Sequence, residues 1–174
     1  NAPIRWGLTG TVPKEKFEFE AIHAALGPVI GQISAKELQD KGVLSQCHVN
    51  IVQLIDTQVH SGYQEELKYL VTNQARIKYI GNLLNNVKQS GNTLILVDRI
   101  SAGEMLQELI PDSTFVKGDV KLRDRKDTYD EIKEGTNKVI IATYGVAAVG
   151  INIPRIFNLV LIEPGKSFVR VIQS

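Results

Sequence analysis

The chain has 174 residues, with 20 Lys+Arg against 19 Asp+Glu for a net charge of +1, and 43% of its residues are hydrophobic. These proportions are those of a globular protein and exclude the disordered, collagen-like and coiled-coil classes. Because the net charge is close to zero, attraction to nucleic acid or lipid has to come from local groups.

The cysteine count and the hydropathy pattern restrict the cellular setting. Cys47 is the only cysteine, which excludes an intrachain disulfide and a zinc cluster built from thiolates. No apolar run approaches the ~18 residues of a membrane span, and the first residues lack a signal-peptide core. We therefore expect a cytoplasmic protein without membrane contact, with Cys47 as a small apolar residue near a core. Since there is no initiating Met and the chain stops after a helix-like stretch, we also expect a fragment cut at both ends.

The first half of the chain is predicted to mix helices with isolated strands. A polar segment over 56–62, with a His-Ser-Gly turn, is the place where a flexible connection is expected. The predicted elements are a strand over 4–8, a helix over 15–26, a capping box of Ser34 and Glu37, an edge strand over 48–55, and a helix over 73–88.

The second half alternates between short β-branched runs and longer amphipathic stretches. Predicted strands cover 93–97, 114–116, 138–142 and 158–162. One predicted helix begins at a capping box of Ser101 and Glu104. A second covers 122–134, with Gly135 as its C-terminal cap, and a third follows Ser167. Strands alternating with helices predict an α/β fold with a parallel sheet covered on both faces.

Standard nucleotide-binding loops are missing from the sequence. Gly165-Lys166-Ser167 follows a strand, but the position of the first glycine of a phosphate loop is held by Val160, inside the strand. No Gly-x-Gly-x-x-Gly opens a helix, which argues against a dinucleotide enzyme. The three histidines have no partners at metal-ligand spacing, so no metal site is predicted.

Two loops at strand ends are candidates for ligand contact. The loop over 143–154 begins at the carboxyl end of a strand, where open α/β sheets bind ligands, and offers a hydroxyl from Thr143 and an amide from Asn152. Thr9-Gly10-Thr11 also follows a strand-like run. The alternatives are a tight buried loop in the first case and a common turn in the second.

Taken in order, these segments resemble the motor of superfamily-2 DNA helicases and translocases. The stretch 5–11 resembles motif III, and the stretch 95–99 resembles motif IV. Residues 117–119, with Arg123 and Arg125, resemble motif IVa. The stretch 142–154 resembles motif V, and 173–174 resemble the start of motif VI. The resemblance covers nearly the whole chain, and the ordered set is far more specific than any single motif.

This resemblance implies a fold and a division of the chain. The expected fold is the second RecA-like lobe over 46–174, with a remnant of the first RecA-like lobe over 1–45. It further implies an ATP-dependent enzyme that unwinds or remodels branched DNA in recombination, repair and replication. Motifs I and II, which hold ATP and Mg²⁺, would precede Asn1, and the motif VI arginines would follow Ser174.

The resemblance also assigns roles to individual residues. Gly150, Asn152 and Gln173 would face the nucleotide, although Asn152 stands where the family usually has Asp and so brings no charge. The remaining roles are DNA contacts by Arg99, Lys117, Lys121 and Thr143, and coupling of the nucleotide state to DNA by Thr9, Gly10 and Thr11. Phosphate contacts read no sequence, which suits a motor that steps along any DNA.

The isolated chain is expected to be inactive, with no catalytic residue, metal or bound ATP of its own. The expected partner is branched or single-stranded DNA, RNA–DNA hybrids remain open, and a monomer is favoured. One alternative is a non-catalytic RecA-like module that binds nucleic acid or a protein; another is a flavodoxin-like binder of a small ligand. Without the motif context, the arginines are most simply surface charges.

Overall fold

The computed structural model of the chain describes residues 4–118, 135–147 and 155–163. The chain divides into two compact units, Asn1–Gln58 and Val59–Ser174. This division falls inside the segment 56–62, where a flexible connection was expected. The boundary between lobes at 45/46 stays a prediction.

The first unit contains two helices. Helix α1 (Lys16–Leu26) ends at Gly27, whose φ of +92° favours glycine and whose N–H donates to the carbonyl of His23. Helix α2 (Ala35–Asp40) begins at Ser34, whose hydroxyl accepts from the Glu37 N–H at 3.1 Å. The capping prediction is therefore right for Ser34, while the Glu37 carboxylate pairs instead with Lys41 at 2.8 Å.

The two strands predicted in the first unit are wrong. Residues 4–8 and 48–55 have no regular structure, and Cys47 is exposed rather than near a core. No residue of this unit between 4 and 58 is buried. An alternating pattern forms a strand only when a neighbouring strand pairs with it, and the described part of this unit supplies none.

The second unit is an α/β structure in which all four predicted strands form. Helix α3, which the sequence pattern did not predict, comes first. The helices are α3 (Tyr63–Thr72), α4 (Gln74–Val87), α5 (Ile100–Leu109) and the one-turn α6 (Tyr144–Ala147), with a 3₁₀ turn at Lys88–Ser90. The strands are β1 (Thr93–Val97), β2 (Ser113–Val116), β3 (Val139–Thr143) and β4 (Asn158–Leu161). The helices predicted over 122–134 and after Ser167 lie outside the described residues.

The four strands are parallel and follow the order β2-β3-β1-β4. Side chains alternate between the two faces of the sheet, so each face has its own apolar layer. In the first layer Ile95 and Ile141 pack with residues of α4 and α5, including Leu84 and Leu106. In the second layer Leu96, Ile140 and Ala142 pack with Tyr144 and Val146 of α6. The predicted α/β fold with a sheet covered on both faces is confirmed.

Two asparagines fix the amino edge of this sheet. The buried Asn92 accepts from the Lys138 N–H at 2.9 Å and donates to the Gly135 carbonyl at 3.1 Å, which ties β1 to β3. The Asn158 amide donates to Thr93 Oγ1 at 3.2 Å, which ties β4 to β1. Since both side chains satisfy backbone or hydroxyl groups at strand ends, the strands start in a fixed register.

The capping box predicted at Ser101 and Glu104 is wrong. Helix α5 begins at Ile100 with Arg99 as its N-cap, and no side chain caps it. Only Asp98 and Arg99 separate α5 from β1, so Ser101 already lies inside the first turn. Glu104 is consequently not engaged at the helix start.

Candidate nucleic-acid interface

From the strand order, the carboxyl ends of β1 and β3 are the place where an open α/β sheet is expected to form a ligand-binding crevice, called the β1/β3 crevice below. From β1 the chain runs through α5 to β2 on one side, and from β3 it runs through α6 toward β4 on the other. Leu106 of α5 and Tyr144 of α6 accordingly lie in different core layers. In open α/β sheets, ligands bind where the connections from adjacent strands leave toward opposite faces.

Three of the predicted DNA contacts converge on this edge. Thr143 is the last residue of β3 and lies opposite Val97 of β1, two residues before Arg99. Val116 of β2 lies opposite Ala142, so Lys117 follows on the strand beside Thr143. Neighbouring strands are about 4.8 Å apart, which brings one hydroxyl and two cations to one end of the sheet.

Thr143 is held firmly at the edge but keeps its hydroxyl available. Its side chain is half-buried, and its hydroxyl makes no hydrogen bond to any residue in 4–118, 135–147 or 155–163. The next residue, Tyr144, is buried and donates its hydroxyl to the Ile162 carbonyl at 3.2 Å. That bond links the chain leaving β3 to the end of β4, and it fixes the backbone on which Thr143 stands.

Both candidate cations at this edge have a carboxylate partner. Arg99 Nε lies 3.3 Å from Asp98 Oδ2, and half of the arginine side chain is exposed. Lys117 Nζ lies 2.5 Å from Glu104 Oε1 and 5.4 Å from the centre of the Phe115 ring. Exposed ion pairs of this kind contribute about 0–1 kcal/mol, so a stronger anion can replace the carboxylate.

A buried ion pair supports the same edge and was not predicted from the sequence. Glu163, two residues after β4, pairs with Arg76 of α4, and its side chain is only 8% exposed. Arg76 also donates to the Leu70 carbonyl at 3.1 Å. The signal that could have indicated it is positional, because Asp98 and Glu163 are acidic residues that closely follow the neighbouring strands β1 and β4.

The Glu163 carboxyl group is electrostatically unusual. Its Oε2 is buried and has no hydrogen-bond partner among the residues that the structure describes. Burial raises the pKa of Glu163 above its ordinary value of 4.5, Arg76 opposes that rise, and the nearby charge of Asp98 adds to it. Burial has the larger effect, so the carboxylate is held at a cost inside the fold.

The predicted coupling residues lie in the first unit. The Thr9 hydroxyl donates to the Thr11 carbonyl at 2.8 Å and accepts from the Thr11 N–H at 3.1 Å, with Gly10 between them. This is the local turn that hydroxyl-bearing residues form with their own backbone, as the alternative interpretation expected. The role of these residues in coupling stays a prediction.

The other predicted site residues fall outside the described parts of the chain. They are the DNA candidate Lys121 and the nucleotide candidates Gly150, Asn152 and Gln173. Val160, which stands where a phosphate loop would need its first glycine, lies within β4 as expected. Among the helices that the structure describes, none is long and apolar enough to cross a membrane.

Comparison with known proteins gives consistent matches. Residues 75–174, more than half of the chain, match the family model of the helicase conserved C-terminal domain. The chain is 24% identical over 185 aligned residues to the ATP-dependent DNA helicase uvsW of Enterobacteria phage T4, and it spans 37% of that protein's length. The crystal structure of T4 UvsW resembles 65% of this chain with a TM-score of 0.58 at 24% identity, over 24% of that structure's chain.

These matches agree with the architecture of the second unit. The matched family segment begins at the second residue of α4 and includes every strand of the parallel sheet. The structural similarity independently supports a RecA-like fold for this sheet and its helices. The chain therefore belongs to the helicase conserved C-terminal domain family.

Proposed function

We propose that this chain is the second RecA-like lobe of an ATP-dependent DNA helicase, with residues 1–45 as a remnant of the first lobe. The convergence of Arg99, Lys117 and Thr143 at the β1/β3 crevice carries this proposal. The T4 relative, an ATP-dependent DNA helicase by name, matches along the whole of this chain and supports it.

The chemistry of the crevice suits a nucleic-acid backbone. A hydroxyl without a partner among the described residues, together with two side-chain cations, can bind phosphate oxygens without contacting base edges. A motor that steps along DNA needs such sequence-independent contacts, because it meets every sequence in turn. We propose a strand of branched or single-stranded DNA as the ligand, with the DNA strand of an RNA–DNA hybrid as a further substrate.

ATP and Mg²⁺ are proposed for the complete protein. Bound there, ATP would supply the free energy of a cleft that closes and opens between two lobes. Gly150, Asn152 and Gln173 are the residues of this chain proposed to face the nucleotide, by their match to motifs V and VI. We further propose that the complete protein acts in recombination, repair and replication in the cytoplasm, as a monomer.

The test of the proposed ligand is DNA binding by the 174-residue chain. Titration of fluorescein-labelled single-stranded, forked and duplex DNA, followed by anisotropy, should show binding that weakens linearly in a log–log plot against salt concentration. Two unrelated base sequences of equal length should bind equally. Strong preference for one base sequence would contradict a crevice that contacts phosphates only.

The test of the proposed enzyme uses ATP turnover and the surrounding reading frame. The 174-residue chain should hydrolyse no ATP with or without DNA, and DNA-stimulated hydrolysis by this chain would contradict the assignment. Sequence upstream should encode a Gly-Lys-Thr/Ser loop and an acidic box, and sequence downstream a Gly-Arg-x-x-Arg motif. If both flanks lack these residues, the non-catalytic binding module is the correct interpretation.

A further inference from the structure

Glu104 forms an ion pair with the ammonium group of Lys117, a predicted DNA contact. Its Oε1 lies 2.5 Å from Lys117 Nζ, and half of the Glu104 side chain is exposed. Lys117 leaves the end of β2, while Glu104 lies on the first turns of α5, so the pair spans two elements. A phosphate oxygen and a carboxylate oxygen offer a lysine the same kind of charged acceptor.

No helix-capping role explains the position of Glu104. The N-cap of α5 is Arg99, and no side chain caps the helix. Lys117 is the partner that the described residues give Glu104, and Lys117 Nζ also lies over the Phe115 ring, 5.4 Å from its centre. The cation–π contact and the ion pair together hold Lys117 at the crevice edge, where the Glu104 carboxylate balances its positive charge.

Resting on the proposed function, we infer that Glu104 is an intramolecular substitute for a DNA phosphate and limits the affinity of this lobe for DNA. A bound strand replaces the carboxylate on Lys117 with a backbone phosphate. The exchange keeps Lys117 ordered and charge-matched with and without DNA. A moderate affinity suits a lobe that has to release its strand at every step.

The matched experiment compares E104Q with E108Q in the 174-residue chain. Both substitutions remove one negative charge from α5, so they change the net charge equally. Glu108 is exposed and forms no ion pair within the described ranges, which makes it the control for the general effect of charge. K117A and the double variants E104Q/K117A and E108Q/K117A complete the comparison. The readout is the anisotropy of labelled single-stranded DNA across salt concentrations.

The expected result is specific to the ion pair. E104Q should bind single-stranded DNA about twofold to fivefold more tightly than E108Q, the range set by the strength of an exposed ion pair. Its log–log slope against salt concentration should equal that of E108Q, because Lys117 contacts a phosphate in both complexes. In the K117A background, the advantage of E104Q over E108Q should disappear.

Two results would overturn the inference, and they are distinguishable from failure of the proposed function. Equal affinities of E104Q and E108Q, with DNA binding intact, would show that Glu104 acts only through net charge. Persistence of the E104Q effect in the K117A background would show that the ion pair is irrelevant. If the chain and all its variants bind no DNA at low salt, the proposed function fails, and the inference fails with it.

Discussion

The Thr143 hydroxyl is the smallest feature on which the proposed interface depends. It stands on a rigid backbone beside Lys117 and has no partner among the described residues. We expect Thr143→Ala to weaken DNA binding about twofold to tenfold, the usual net effect of losing one hydrogen bond. Anisotropy titration measures this directly, and Thr143→Ser, which keeps the hydroxyl, should retain most of the affinity. Equal losses in both variants would show that the methyl group matters rather than the hydroxyl.

Glu163 makes the stability of the fold depend on pH. Because its pKa is raised above 4.5, the folded chain binds more protons than the unfolded chain between the two values. The stability that Glu163 contributes is therefore complete below pH 4.5 and is lost as the pH rises through the raised pKa. Relative to E163Q, which cannot titrate, the wild type should lose unfolding free energy as the pH rises from 4.5 through the raised pKa.

Chemical denaturation of both chains across this range measures the Glu163 effect. The diagnostic quantity is the change with pH of the difference in unfolding free energy between wild type and E163Q. The absolute difference is not diagnostic, because E163Q also leaves Arg76 without its carboxylate partner at every pH. A difference that grows in favour of the wild type with rising pH would show that the attraction of Arg76 outweighs burial.

At the scale of elements, the contact between α5 and β2 depends on a glycine. A Cβ on Gly103 would lie 2.4 Å from the Phe115 ring, so an alanine there forces the helix or the ring to move. Overpacking of this kind costs about 1–3 kcal/mol, and the ~1 kcal/mol by which alanine favours a helix over glycine offsets part of that cost. We expect Gly103→Ala to lower the free energy of unfolding by up to about 2 kcal/mol.

The control for Gly103 is Gly145→Ala in α6, where an added Cβ meets nothing within 4 Å. Urea denaturation should give that variant a stability equal to or slightly above that of the wild type. A Gly103→Ala chain as stable as the control would mean that the Phe115 ring moves aside freely.

Elements were predictable wherever the local pattern and the burial agree. The runs at 93–97 and 139–143 are apolar throughout because both faces of their strands are covered, so a short continuous run rich in β-branched residues identifies them. The run at 48–55 was predicted as an edge strand from its alternation, but no described strand pairs with it, and pairing is not encoded in local sequence. The Arg76–Glu163 pair was missed for the same reason, since its partners are 87 positions apart.

At the scale of the whole molecule, the two units differ in how much they bury. Every buried side chain in the described ranges belongs to the second unit. Local opening costs least where few apolar groups are buried, so trypsin should cut first at lysines of the first unit such as Lys14 and Lys36. Mass spectrometry of a time course should show these cleavages before any at Lys78 of α4 or at Lys88, which directly follows α4. Early cleavage at Lys78 or Lys88 would contradict this order.

The central position of β1 has a consequence for synthesis of the chain. β1 pairs with β3 on one side and β4 on the other, and both follow it by long stretches of sequence. As the polypeptide leaves the ribosome, five consecutive core residues emerge well before either partner exists. An unpaired apolar strand is a site for association with other chains, so nascent chains of this protein are most vulnerable to aggregation, and most in need of a chaperone, in the interval before β3 emerges.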